Sequence, residues 1–179
     1  MKTFFWSSFV TGTILIVLTG CSTAPKSPDV ADGIRQSLKA DGFKDVSVAE
    51  DRDKGVVTLG GHVTDEGGRA RAEGIAKSMA AGQVVANQIA VLPPGVEGEA
   101  KTVNSDWDQA IQKNLEAALI QAGMNNDVKC SVKNRVVTLT GDVNSQGARS
   151  EAARVAGSVP NVYQVVNEVQ VKNQKASSY

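Results

Sequence analysis

Cysteine, histidine and aromatic side chains are scarce in this chain of 179 residues, and each shortage removes a class of function. Two cysteines, Cys21 and Cys130, make neither a zinc cluster nor an internal disulfide framework. The one histidine, His62, lacks the convergent partners that a catalytic or ligating imidazole needs. Aromatics amount to 4%, so any core is built from Val, Ile, Leu and Ala. Neither sign of charge is in excess, with 19 basic and 19 acidic residues, so the basic face of a nucleic-acid binder is missing and no nucleic-acid partner is expected. GxSxG, HExxH and P-loop patterns do not occur. Asp51, Arg52 and Asp53 read as a solvated turn, because a cation site needs more oxygen ligands at set spacing. No enzyme activity, cofactor or metal is expected.

What the chain does have begins with an address. Residues 1–20 read as a secretory signal: Lys2, then an apolar run ending Thr13-Ile14-Leu15-Ile16-Val17-Leu18, too short for a spanning helix. The run closes on Leu18-Thr19-Gly20-Cys21, which resembles a bacterial lipobox. The resemblance implies acyl chains on Cys21 and a cut before it, and several chains give stable anchoring at about 0.8 kcal/mol per buried methylene. Ser22 after the cysteine implies, by the same resemblance, delivery to the outer membrane, with the protein facing the periplasm. Residues 21–28 then form a polar tether. With Cys21 consumed, Cys130 is read as a small buried hydrophobe in register with Val128 and Val132.

The body is one unit written twice. Gly55–Val91 lies over Arg135–Val171 at a constant offset of 80, with 14 identities in 37 positions, including VVTLGGHV against VVTLTGDV. In that stretch Val57, Leu59, Gly61 and Val63 alternate as a strand with one buried face. The glycine takes an inward slot, where it admits a helix or marks a bulge. Each unit opens with a helix: Ser27 capping and Pro28 at its first position in one, Ser105 capping in the other. Val30, Ile34 and Leu38, then Ile111, Leu115, Ala118, Leu119 and Ala122, form the inward stripes, and Gly42 and Gly123 end the helices. A short strand, the VVTL strand, a second helix from near Thr64 or Asn144, and a last strand over Val84 to Val91 or Gln164 to Val171 follow.

The predicted fold class is therefore α+β, two tandem αββαβ modules, each a three-stranded mixed sheet with two helices on one face. The boundaries fall at 29–92 and 105–173, with a proline- and glycine-marked linker at 93–104 and a tail at 174–179. The VVTLxGxV strand, the helix with spaced alanines and the closing Val-x-Asn-x-[Ile/Val]-x-Val resemble the BON domain, and the lipobox with two such units is similar to dual-BON outer-membrane lipoproteins. That resemblance implies phospholipid binding and a part in envelope integrity or tolerance of osmotic stress.

The expected contact surface is the opening helix of the second unit. Trp107 falls at the edge of its apolar stripe and Ile120 well away from it, while Lys113 is on the exposed side and Lys129, Lys133 and Arg135 cluster at the nearby hairpin. A tryptophan with an apolar body and a polar nitrogen suits a membrane interface, and the cations suit anionic phospholipid headgroups. Alternatively Trp107 fills the core or the seam between units. The competing function is a periplasmic protein-interaction module, docking on envelope proteins or on its own copies through the exposed strand face or a sheet edge.

Overall fold

The computed structural model describes residues 26–172. The leader, Cys21 and the tail lie outside the described residues. The order is α1 (Ala31–Ala40), β1 (Val46–Asp51), β2 (Val56–Val63), α2 (Glu66–Met79), β3 (Val84–Asn87), β4 (Ala90–Val91), then α3 (Glu97–Gln121), β5 (Val128–Lys133), β6 (Val136–Val143), α4 (Gln146–Gly157), β7 (Gln164–Asn167) and β8 (Gln170–Val171). The first half is repeated by the second.

Each sheet is three strands wide, with the VVTL strand in the middle. β1 runs antiparallel to β2 on one side, and β3 runs parallel on the other; β5, β6 and β7 repeat this. The last predicted strand is split, because β4 and β8 resume pairing with the central strand after a two-residue break. The amides of Val84, Gln88 and Leu92 all donate to carbonyls along one side of β2, so β3 and β4 are a single interrupted edge.

The interruption has a chemical cause in a residue present in both copies. Asn87 Oδ1 accepts from the Ile89 amide while its Nδ2 donates to the Arg69 carbonyl, and Asn167 does the same with Val169 and Arg149. A side chain that bonds its own backbone two residues on competes with the strand ladder.

Helix starts differ from the sequence reading in physically informative ways. Ser27 does not cap α1, which begins at Ala31 and not at Pro28. Its first amides, Val30 and Ala31, are taken by the Glu50 carboxylate from strand β1, 3.3 Å away, while the Ser27 amide donates to the Arg52 carbonyl. Ser105 does not cap either. α3 starts at Glu97, absorbing most of the expected linker, because Pro93, Pro94 and Gly95 already turn the chain and Glu97 and Glu99 complement the positive helix end. The second helices start a little later than expected, capped by Asp65 and Ser145.

The glycine of the repeated strand does not receive a helix; it pairs one for one with Val46 or Val128 and admits the close approach of a backbone carbonyl. Gly61 and Gly141 have φ of +86° and +120°, and a Cβ there would stand 1.9 Å and 2.1 Å from the carbonyl oxygens of Asp45 and Asp127. Those carbonyls instead accept from the next amides, His62 and Asp142.

Each module has its own core between sheet and helices, centred on Ile34, Leu38, Val57 and Leu59 in one and Ile111, Leu115, Val137 and Leu139 in the other. A third, small cluster of Val56, Ala86, Val136 and Val166 joins the modules through the opposite sheet face. Its members are two repeat pairs, so the contact is a near two-fold. Polar contacts follow the same symmetry: Lys54 pairs with Glu168 at 2.7 Å, and Asn134, at the repeat position of Lys54, donates to the carbonyl of Gln88, at that of Glu168.

Two contacts break the symmetry. Gln164 spans the seam, accepting from the Asn87 amide and donating to the Val85 carbonyl, the groups of β3 that face away from β2; its counterpart Val84 can do neither. Arg69, 3% exposed, lies under the Tyr163 ring at 3.8 Å and donates to the carbonyls of Asn87 and Asn134.

Candidate functional site

Helix α3 is long, and only its second half is gripped by a core. Ile111, Leu115 and Leu119 are buried, whereas Trp107 is 42% and Ile120 60% exposed. Trp107 therefore does not fill the core. The two residues are thirteen positions apart, about 20 Å along the axis and on different flanks, so they do not form one patch.

What the structure brings together is a groove between α3 and β5. Lys113 lines one stretch of it, with Gln112 and Val132, around a cavity of about 350 Å³. Ile120 and Lys129 line the next, with Leu119, Val128 and Cys130, around a cavity of about 460 Å³. Glu116 is shared by both. The floor is apolar and the rim carries charge. Neither Lys113 nor Lys129 has an ion-pair partner among the described residues. Of the acids nearby, Asp108 is committed, accepting from the amides of Asn134 and Arg135 at 2.8 and 2.7 Å. Glu116 accepts from the Gln112 side chain at 2.6 Å, and neither acid is in an ion pair with Lys113 or Lys129.

The other expected contacts stand apart from the groove. Lys133 is exposed at the end of β5, and Arg135 is held in the hairpin, at φ +65°, with Nε donating to the Asn161 carbonyl. Cys130 is half-buried at the groove wall, where Gln112 donates to both its carbonyl and its sulfur. Burial pushes its thiol up, the nearby Glu116 charge adds to that, and the Gln112 hydrogen bond opposes both. A neutral thiol is a poor nucleophile. His62 is exposed on β2, and among the described residues no three His, Cys, Asp or Glu side chains come together as a metal site.

Sequence reasoning missed the polar clamps. Arg149 donates from Nε to the Val169 carbonyl and from a terminal nitrogen to that of Asn167, tying α4 to the broken strand, as Arg69 ties α2. The signal was present: Arg69, Asn87 and their copies are identities at polar positions in the repeat. Glu73 was also missed. Burial opposes its charge, but the Lys77 ammonium, the Asn87 amide and the Tyr163 hydroxyl together hold its carboxyl below the usual range.

The BON domain model matches residues 27–93 and 107–173, the two modules just described. The chain belongs to the BON-domain family. BON domains are binding modules linked to phospholipid and to the cell envelope, and are not known as catalysts. No curated protein sequence matches the chain. Among the solved structures similar to it are two of CdsD, a structural protein of the type III secretion system of Chlamydia trachomatis. The C-terminal domain is 16% identical over 79% of this chain and 67% of that one, with a TM-score of 0.34. The other is 15% identical over 77% and 90%, with a TM-score of 0.36. Among the described residues no helix is long and apolar enough to cross a membrane.

Proposed function

We propose that this BON protein is an envelope lipoprotein, held at the periplasmic face of the outer membrane by acyl chains on Cys21, whose second module binds phospholipid in the α3/β5 groove. The observation that carries the reading is the pairing of an apolar floor, Leu119, Ile120 and Val128, with the unpaired ammonium groups of Lys113 and Lys129 at the rim. An amphiphile with an anionic head matches that arrangement. Lys133, further along β5, extends the positive edge. The acyl anchor raises the local lipid concentration, so a weak groove suffices.

Docking of a protein on a sheet edge has less support. The edge carbonyls of Val48 and Cys130 are already taken by Arg35 and Gln112 from the flanking helices, and the strand faces of the two modules partly cover one another.

Flotation of the lipid-free chain Ser22–Tyr179 with phosphatidylglycerol or cardiolipin vesicles tests the reading. Selective flotation is expected, with Ile120→Glu or Lys129→Glu reducing the bound fraction by about tenfold at low salt. No flotation of the parent, or flotation indifferent to both changes, would refute a groove contact.

A further inference from the structure

We infer that a second copy of this chain packs on helix α3, antiparallel to it. The helix carries two apolar stripes. One, Ile111, Leu115 and Leu119, is consumed by the second core. The other, about 100° round the helix, is Val96, Ala100, Val103, Trp107, Ala110 and, past the polar Asn114, Ala117, spaced by fours and threes like the seam of a two-stranded coiled coil when Asn114 is counted. Its large members are uncovered, with Val96 47%, Val103 52% and Trp107 42% exposed, while Ala100 is half-buried. Its first half precedes residue 107, where the second BON match begins, so it is an addition to the module and not a part of its core.

Charge decides the occupant and the direction. Asp106 and Lys113 flank the seam, both exposed and neither in an ion pair among the described residues. Seven residues separate them, about 10 Å along the same helix, too far to bridge. In an antiparallel pair with Trp107 over Ala110 of the second copy, Ala100 meets Ala117 and each Asp106 meets the Lys113 of the other copy. The large indole lies on a small residue, and the two ion pairs are equivalent, as a two-fold interface requires. A parallel pair would set Trp107 against itself and give Asp106 no cation.

Asn114 stands in the seam opposite Val103, and a single polar seam residue fixes register at some loss of stability. One helix per copy gives an interface of about 1,200 Å² or less, at the small end of specific ones, so the dimer is reversible. The dimer draws on Lys113, which also rims the lipid groove, whereas Ile120 and Lys129 take no part in the seam.

Sedimentation equilibrium of the full chain in nonionic detergent, over a range of concentrations, tests this inference. A monomer–dimer equilibrium is expected; Val103→Glu abolishes it; Asp106→Lys or Lys113→Asp weakens it about tenfold; and the double exchange restores it. A parent that stays monomeric, a dimer indifferent to Val103→Glu, or a double exchange as weak as the singles would overturn it. The altered positions are exposed, and unchanged circular dichroism verifies folding; if Val103→Glu misfolds, the charge exchange still decides. Vesicle flotation of Val103→Glu should not fall, since the variant leaves Lys113, Ile120 and Lys129 in place, and this separates failure of the dimer from failure of the lipid contact.

Discussion

Single side chains do more of the structural work here than a chain rich in Val and Ala suggests. Arg69 and Arg149 reach across from the second helices to carbonyls at the strand break, and the asparagines they meet hold the break open. Glu50 ties α1, strand β1 and Gln83 together, accepting from the Val30 and Ala31 amides and from the Gln83 side chain at 2.7 Å. Burial disfavours the Glu50 and Glu73 charges, but in each the hydrogen bonds win and the carboxyl is held below its ordinary 4.5. A folded-state pKa below the unfolded one gives stability that is present above the unfolded value and disappears as pH falls through the folded one. Urea midpoints are therefore expected to hold above about pH 5 and to fall on acidification below 4.5. Glu73→Gln should flatten part of that fall, and an unchanged profile would show that the Lys77, Asn87 and Tyr163 contacts add nothing in solution.

At the scale of elements, the central strand and the second helix were readable because their patterns are local: period two in VVTL, alanines at helical spacing, glycine after the last turn. Helix beginnings were misread where the cap comes from elsewhere in the chain. Ser27 and Ser105 look like caps, but the amides of α1 are taken by Glu50 from twenty residues away, and nothing local stops α3 from running back to Glu97. The site had the same limit. Ile120, Lys113 and Lys129 could be named, but their convergence on a groove depends on how β5 lies along α3, while Trp107 and Arg135 fall elsewhere. The repeated glycine was read as admitting a helix or marking a bulge, whereas what it admits is a backbone carbonyl, that of Asp45 or Asp127. Gly61→Ala and Gly141→Ala should each lower unfolding free energy by more than about 2 kcal/mol in urea titrations, since an added Cβ overlaps a backbone oxygen in a left-handed conformation. A loss under about 0.5 kcal/mol would mean that the hairpin shifts register freely.

For the whole molecule, the near two-fold seam makes one body of two modules that are small by themselves. Gln164 is its asymmetric rivet. Gln164→Val, which copies the residue at Val84, is expected to cost about 1–3 kcal/mol, because it strips partners from two edge groups of β3. Calorimetry should show one transition in the parent moving down or dividing into two in the variant; an unaltered single transition would mean that the seam holds without it. The clasp at the start of the described chain bears on geometry rather than stability. The Ser27 amide and carbonyl are both bound to Arg52 in the first hairpin, so the chain between that hairpin and the proposed acylation site Cys21 is six peptide links, at most about 20 Å when fully stretched. Under the proposed anchoring, so short a leash would tie the first module to the leaflet that holds the acyl chains, and any second membrane contact would be one with that same leaflet rather than a bridge across the periplasm.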